Sequence, residues 1–217
     1  MDLLLYERRA VRCSADCATI EQAAFFAEFT VNRIHRWLCK SEGWKRSLRE
    51  QIVPWVLNDI DLGSNVLEIG PGPGLTTDLL RSRSERLTAL EIDEQLATSL
   101  EQRMSGTNVA VIRGDATTMP FEDASFSGAV AFTMLHHVPS AEKQDQLLRE
   151  VRRVLRPGAI FAGTDGIRSL PLRLLHIADT YVPIDPAKFA PRLETAGFRD
   201  VRITDDGHRF RFQASRA

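Results

Sequence analysis

An apolar run that passes directly into a turn with three alternate glycines, over residues 66–74, constrains this chain more than any other feature. Residues 66–69 are mostly apolar and typical of a buried strand. Glycine has no Cβ, so the backbone after that strand can turn tightly and lie close to a ligand. Residues 75–80 have helical apolar spacing, and this helix would point its free N–H groups and its positive dipole end at the turn. The pattern predicts a nucleotide-type cofactor site.

The spacing of the glycines argues against two common cofactor loops. In the dinucleotide fingerprint G-x-G-x-x-G, the third glycine would fall on Leu75 or Thr77, depending on the register. In a phosphate-binding Walker loop, a Lys-Ser or Lys-Thr pair would follow the last glycine, and none does. An NAD(P)-dependent oxidoreductase with a degenerate glycine loop stays open as an alternative.

Glu68, at the end of the predicted strand, completes the pattern E-x-G-x-G-x-G. This pattern resembles the first motif of the class I S-adenosylmethionine-dependent methyltransferases. S-adenosylmethionine carries a sulfonium and an ammonium group but no phosphate, so a carboxylate in the loop would favour it, whereas the same carboxylate would repel a pyrophosphate.

The following strands agree with this resemblance. Residues 87–93 read as a second strand that ends in acids, and Glu91 lies 21 positions after Gly70, about the separation at which a carboxylate contacts ribose hydroxyls. Residues 109–116 form a third apolar run that ends in Gly-Asp-Ala, where the resemblance implies that Asp115 contacts the adenine amino group. Residues 126–133 supply a fourth strand.

The second half of the chain continues the alternation of helices and strands. The sequence predicts an amphipathic helix over 146–155, stopped by Arg-Pro-Gly, and then a strand over 159–163. A last helix over 189–196 precedes strands over 201–204 and 208–214, which are joined by an Asp-Asp-Gly turn. Alternating strands and helices predict a parallel sheet covered on both faces.

The expected fold class is therefore α/β. The resemblance implies a Rossmann-like, seven-stranded, mostly parallel sheet with the order 3-2-1-4-5-7-6, an antiparallel strand 7 and helices on both faces. One departure lies at Ser127, where the family usually has an aspartate.

The resemblance implies that S-adenosyl-L-methionine is the cofactor and that its binding residues lie at the ends of the first four strands: Glu68, Gly70, Gly72, Gly74, Glu91, Ile92, Asp115, Ala116 and Phe132. Two histidines follow the fourth strand, at the sheet edge where such folds bind ligands. His137 and, less favoured, His136 are candidates to take a proton from the methyl acceptor near neutral pH. Alternatively, one caps a helix and the other lines the cofactor pocket. We expect His35, His176 and His208 to be structural or exposed.

The domain is expected to span 61–217, with capping helices over 31–60 and a candidate substrate lid over 167–186. Long connections in compact domains are often lids, and apolar residues in this one favour an apolar or aromatic substrate; a buried structural helix would have the same composition. Residues 1–30 match nothing in the family, so we expect a poorly packed extension or an overcalled translation start.

The composition limits the classes of partner that we expect this chain to bind. The formal net charge of −1 offers no global attraction for nucleic acid or anionic lipid. No apolar run reaches the length of a membrane span, and the expected localisation is cytoplasmic. The three cysteines are expected to be free thiols, with no metal site.

Three functions compete at this point. The first is methyl transfer to a small molecule, the second is NAD(P)-dependent redox chemistry, and the third is non-catalytic binding of S-adenosylmethionine. Neither an [N/D]-P-P-[Y/F] motif typical of amino-group methylation nor a basic-aromatic groove for nucleic acid is found in the sequence. The sequence does not identify the acceptor or the oligomeric state.

Overall fold

The computed structural model describes residues 41–177 and 179–217. The expectations for residues 1–30, and for the part of the capping helices at 31–40, lie outside the described residues. His35 and the three cysteines lie there too.

Seven strands form one sheet with the order β3-β2-β1-β4-β5-β7-β6, as predicted. All neighbouring strands pair in parallel except β7, which is antiparallel to both β5 and β6. The strands are β1 (Asn65–Ile69), β2 (Arg86–Glu91), β3 (Val109–Arg113), β4 (Phe126–Phe132), β5 (Leu155–Gly166), β6 (Phe198–Asp205) and β7 (Arg209–Arg216).

Helices connect the strands and precede the sheet. The described chain begins with α1 (Glu42–Ser47), which continues through a π-helical turn (Leu48–Ile52) into α2 (Val53–Leu57). A 3₁₀ turn (Leu135–His137) follows β4. The other helices are α3 (Leu75–Leu80), α4 (Glu94–Met104), α5 (Ala141–Val154), α6 (Leu170–Leu175) and α7 (Pro186–Thr195).

The core lies on both faces of the sheet, which explains why the central strands are nearly continuous apolar runs. On one face, residues of α5 and α7 pack against β4, β5 and β7. On the other face, the π-helical turn and α2 pack against β1 and β4. This packing fixes the carboxyl ends of β1, β2 and β4 side by side. No helix among the described residues is long and apolar enough to cross a membrane.

The structure corrects the predicted boundary between helix and strand near residue 155. α5 ends at Val154, and Leu155 already pairs with Phe126 at the start of β5. Leu155 is fully buried, so its pairing and burial outweigh the helical periodicity that placed it in the helix. The register between β4 and β5 shifts before Ile160, which accommodates the Arg-Pro-Gly segment within the strand.

Ser127 anchors the entry into β1. Its hydroxyl donates to the carbonyl oxygens of Leu62 and Asn65, at 2.9 and 3.0 Å, and accepts the Asn65 N–H at 2.8 Å. Ser127 is not among the residues that line the cavity described below. The missing aspartate at this position therefore leaves the cavity unchanged.

Candidate functional site

A cavity of about 780 Å³ opens at the carboxyl ends of β1, β2 and β4. Its volume lies within the range of roughly 300–1,000 Å³ that is usual for ligand pockets. At one end the cavity is lined by the glycine turn and acidic residues, and at the other by histidines and the apolar side chains of the segment that contains α6.

The glycine turn forms the floor of the first end. Gly72 has a left-handed φ of 55°, and a Cβ built on it would meet nothing within 4 Å, so its Cα faces open space. Gly74 also has a left-handed φ, of 77°, but a Cβ there would come within 2.3 Å of Leu100. Gly72 leaves room for a ligand, whereas Gly74 allows the turn to pack on α4.

Arg103 of α4 holds the same turn in place through hydrogen bonds. Its guanidinium donates to the carbonyl oxygens of Pro73 and Gly74, at 2.9 and 3.1 Å, and pairs with Asp78 at 2.7 Å. These bonds fix the start of α3, which turns its N-terminus toward the cavity.

Glu68 lies beneath the turn and not in the cavity. It is 1% exposed, and its carboxylate accepts hydrogen bonds from the hydroxyls of Thr76 and Thr77. Burial raises its pKa from 4.5 to about 7, although both hydroxyl bonds favour the ionised form. The carboxylate predicted to attract the cationic cofactor therefore joins the end of β1 to the first turn of α3.

Glu91, at the end of β2, lines the cavity. One carboxylate oxygen accepts the N–H of Gly72 and the other the N–H of Asp93, both at 2.9 Å. Burial raises the pKa of this carboxyl above its ordinary value, while the two backbone bonds oppose the rise. Each oxygen has a further lone pair, so the group can hold the turn and still accept ligand hydroxyls.

Asp115 lies across the cavity from the glycine turn, after β3. Its carboxylate accepts the N–H of Thr117 at 2.8 Å and the Thr117 hydroxyl at 2.7 Å, which fixes its orientation. Of the nine residues predicted to bind the cofactor, all except Glu68 and Gly74 line the cavity: Gly70, Gly72, Glu91, Ile92, Asp115, Ala116 and Phe132.

At the other end, the chain leaves β4 through Thr133, whose φ of 51° is unusual for a β-branched residue. The following 3₁₀ turn carries His136 and His137, and both line the cavity. His136 is buried, and its Nδ1 lies 2.5 Å from a carboxylate oxygen of Asp165. Its Nε2 lies 3.1 Å from Nε2 of His176. Nδ1 of His137 faces the carbonyl oxygen of Thr180 at 3.2 Å.

Two of these residues escaped the sequence analysis. Of the two alternatives expected for His176, structural or exposed, the structure excludes the second: it is 5% exposed and lies against His136, 40 positions away in sequence. Asp165 is fully buried at the end of β5. Its position after an apolar strand, at the same sheet edge as Glu91, was the signal that could have identified it. No local pattern marks His176.

Two further segments line the cavity. Trp44 of α1 and Leu48 of the π-helical turn belong to the same apolar cluster as Phe132. Ser169, Thr180 and residues of α6 between them belong to the segment after β5, which also carries His176. A buried Gln144 side chain holds this segment near the histidines, since it donates to the carbonyl oxygens of Leu135 and Val182 at 3.0 and 2.8 Å.

Comparison with known proteins agrees with the motif. Residues 67–163 match the family model described as "Methyltransferase domain". A Mycolicibacterium smegmatis protein named "Probable S-adenosylmethionine-dependent methyltransferase" is 31% identical over 169 residues, which are 74% of this chain and 61% of that protein. A solved S-adenosylmethionine-dependent methyltransferase from Aquifex aeolicus has the same fold, with a TM-score of 0.63 and 22% identity over 79% of this chain and 93% of its own.

Relatives with named substrates fall into different groups. A protein of Haloarcula marismortui named "Probable ribosomal RNA small subunit methyltransferase A" is 32% identical over 164 residues, 68% of this chain and 56% of that protein. A fatty-acid O-methyltransferase of Mycolicibacterium smegmatis is 32% identical over 105 residues, 48% of this chain and 37% of that protein. The chain thus spans less than two thirds of the length of these curated relatives.

The sheet order, the glycine turn and the acidic residues at the ends of β2 and β3 define a Rossmann-like methyltransferase domain. The chain carries a class I S-adenosylmethionine-dependent methyltransferase domain, as its motifs predicted. S-adenosylmethionine is the cofactor of this class.

Proposed function

We propose that this protein transfers a methyl group from S-adenosylmethionine to a small, apolar or aromatic molecule. The observation that carries the proposal is the division of one cavity into a polar end beside the glycine turn and an apolar end beside the histidines. A cofactor in the first end and an acceptor in the second would meet near the end of β4.

The polar end fits the cofactor. Gly72 leaves open the space that a side chain would fill. Glu91 and Asp115 offer carboxylate oxygens to the ribose hydroxyls and the adenine amino group. Ile92, Ala116 and Phe132 supply apolar contacts for the adenine ring. The bound cofactor supplies a methyl group already activated on a sulfonium, so the chain has to position the acceptor and exclude water.

The other end favours an apolar acceptor over RNA. Val138 follows His137 in the chain, Leu172 and Leu175 precede His176, and all three line the cavity together with Trp44 and Leu48. Arg209 is the one arginine or lysine among the described residues that line the cavity, against three acidic side chains, and RNA binding depends on clusters of such cations. The fatty-acid O-methyltransferase relative suits this chemistry better than the ribosomal RNA relative.

We place the acceptor's nucleophilic atom beside His136 and His137. Both imidazoles line the cavity, and the Asp165 carboxylate fixes the ring of His136. For a hydroxyl or ammonium acceptor, an imidazole nitrogen would take the proton that the nucleophile loses as it binds the methyl carbon. His137 is the preferred proton acceptor because it is less buried than His136.

We propose that residues 167–186 act as the substrate lid and that the helices before β1 complete the cap. Both segments contribute side chains to the lining of the cavity. Closure over a bound acceptor would exclude water from the reacting atoms.

The test is a methylation assay with radiolabelled S-adenosylmethionine on matched panels of fatty acids, phenols, sterols and 16S ribosomal RNA. Label on a small apolar acceptor, lost in His137→Ala but retained in the rim variant His208→Ala, is expected. Label on RNA alone would overturn the proposed acceptor class. Oxidation or reduction with NAD(P) would favour the oxidoreductase, and cofactor binding without transfer would favour a binding protein.

A further inference from the structure

His136, His137 and His176 form a cluster, here called the histidine cluster, whose arrangement goes beyond the needs of methyl transfer. One ring nitrogen from each residue lies within 4.8 Å of those from the other two. The three rings pack against one another, with centroids 4.2 to 5.3 Å apart. All three residues line the acceptor end of the cavity.

Hydrogen bonding fixes the protons on two of these rings. The Asp165 carboxylate accepts the backbone N–H groups of His136 and Gly166, at 3.1 and 2.6 Å, and lies 2.5 Å from Nδ1 of His136, which places the imidazole N–H on that nitrogen. Nδ1 of His176 lies 2.7 Å from the carbonyl oxygen of Leu172, which can only accept. Both Nδ1 atoms are therefore donors, and each Nε2 keeps a lone pair.

The two lone pairs face each other. The Nε2 atoms of His136 and His176 are 3.1 Å apart. A proton on one of them would join these two rings, whereas a metal ion at this point would also engage the third ring, whose nitrogen lies within 4.8 Å of the other two.

We propose that the histidine cluster binds a divalent transition-metal ion, with Zn²⁺ as the favoured ion. Zinc bonds to imidazole nitrogen at about 2.0–2.1 Å, which places two ligand nitrogens of a tetrahedron roughly 3.3 Å apart. The 3.1 Å separation of the Nε2 atoms is close to that value. His137 offers the third ligand, since one of its ring nitrogens lies within 4.8 Å of the other two.

The surroundings of the cluster are those of a metal site. Histidine ligands usually donate their other N–H to a carboxylate or a backbone carbonyl. Here the outer partners are the Asp165 carboxylate for His136 and the Leu172 carbonyl for His176, while the Thr180 carbonyl faces His137. The ring of Tyr181 stacks on His176 with centroids 4.4 Å apart and holds it in place.

Three protein ligands leave a fourth position open toward the cavity, as in catalytic zinc sites. An oxygen of the acceptor could occupy this position, and the ion would favour the deprotonated, nucleophilic form of a hydroxyl, whose proton would pass to solvent. With the ion bound, this effect would take the place of proton transfer to His137, because the ligand imidazoles have no free lone pair. The inference does not depend on the proposed methyl transfer, because binding of the ion is measured without cofactor or acceptor.

The experiment uses the full chain, dialysed against a chelator and titrated with Co²⁺ and Zn²⁺. We expect one Co²⁺ ion per chain, with visible d–d absorption and no sulfur-to-cobalt charge-transfer band, which would indicate the cysteines instead. Zn²⁺ should displace the Co²⁺.

Two ligand variants, one variant of the outer partner Asp165 and one control decide the assignment. His176→Ala and His137→Ala should each weaken Zn²⁺ binding by at least about tenfold, and Asp165→Asn should weaken it by about 10- to 100-fold. His208→Ala, which removes an exposed histidine at the cavity rim, should bind like the wild type. Circular dichroism verifies that each variant is folded. No metal binding, a thiolate band, or affinity unchanged in both folded ligand variants would overturn the proposal.

Discussion

At the residue scale, two of the three glycines of the turn, Gly72 and Gly74, have separate tasks. The sequence shows them as equivalent members of one motif, but the structure places Gly72 against open space and Gly74 against Leu100 and Arg103. Spacing alone cannot distinguish these tasks, because they depend on how α4 packs behind the turn. The same limit applied to Glu68, whose place in the motif gave no sign of the two threonine hydroxyls that enclose it.

Gly72→Val tests the open position. Valine at a left-handed φ of 55° is strained, and its side chain would occupy the space in front of the turn. We expect loss of S-adenosylhomocysteine binding in a protein that keeps its circular dichroism spectrum, measured by calorimetric titration. Gly106→Val, at a left-handed glycine with open space away from the cavity, is the matched control. Normal binding by folded Gly72→Val would remove Gly72 from the site.

Glu91→Ala tests whether the carboxylate at the end of β2 binds the cofactor. Loss of charge-assisted hydrogen bonds to the ribose costs roughly 1.5–3 kcal/mol, which is about one to two decades in affinity for S-adenosylhomocysteine. Glu94, an exposed neighbour paired with Arg113, provides the control variant Glu94→Ala. Equal affinities for the two folded variants would show that Glu91 does not bind the ligand.

The buried carboxyl group of Glu68 predicts how the stability of the folded state depends on pH. Because its folded pKa of about 7 lies above its ordinary value of 4.5, the folded state binds the proton more tightly than the unfolded state. Its contribution to stability is therefore complete below about pH 4.5 and is lost as the pH rises through 7. The difference corresponds to about 3 kcal/mol for this fully buried group.

Glu68→Gln should remove that part of the pH dependence. Glutamine keeps the size of the side chain and can still hydrogen-bond to Thr76 and Thr77, but it does not titrate. Urea unfolding between pH 5 and 8 should show wild-type stability falling more steeply with rising pH than that of the variant. Glu91 titrates in both proteins, so only the difference in slope counts. Parallel curves would contradict the assignment.

At the element scale, the strands that form the cavity floor were predictable and the lid contacts were not. β1 and β2 are buried apolar runs that end at Gly70 and Glu91, and β4 is a buried apolar run followed within five residues by two histidines, so local sequence identifies these strands and their functional ends. α6 has no such pattern, since its leucines point both inward and outward. Which of them face the acceptor depends on how the segment after β5 folds back over the 3₁₀ turn.

Substitutions of two adjacent leucines of α6 test whether this segment is a substrate lid or an ordinary surface helix. Leu175 lines the cavity, whereas Leu174 is 60% exposed. Leu175→Ser should lower kcat/KM for the apolar acceptor by about tenfold or more, since burial of a leucine is worth roughly 1.5–3 kcal/mol. Leu174→Ser should have little effect, and neither variant should change S-adenosylhomocysteine affinity. Equal acceptor kinetics for the two variants would count against the lid.

At the scale of the whole molecule, the alternation of strands and helices predicted a parallel sheet, whereas the order of its strands was predicted from the resemblance to class I methyltransferases. The terminal hairpin of β6 and β7 follows from its turn residues. The contacts that this strand order creates between residues far apart in the sequence were harder to predict. Asp165 and His176 join His136 only because β5 lies beside β4 and the following segment covers both.

A melting experiment with competing cofactors tests the central claim most directly. A ligand that binds only the folded state at 100 times its Kd stabilises it by about 2.7 kcal/mol. For a domain of this size that corresponds to a rise in Tm of roughly 5–10 °C. We predict this rise with S-adenosylhomocysteine and none with NADH, and no rise for Gly72→Val with either ligand. A rise with NADH alone, or none with saturating S-adenosylhomocysteine, would contradict the account.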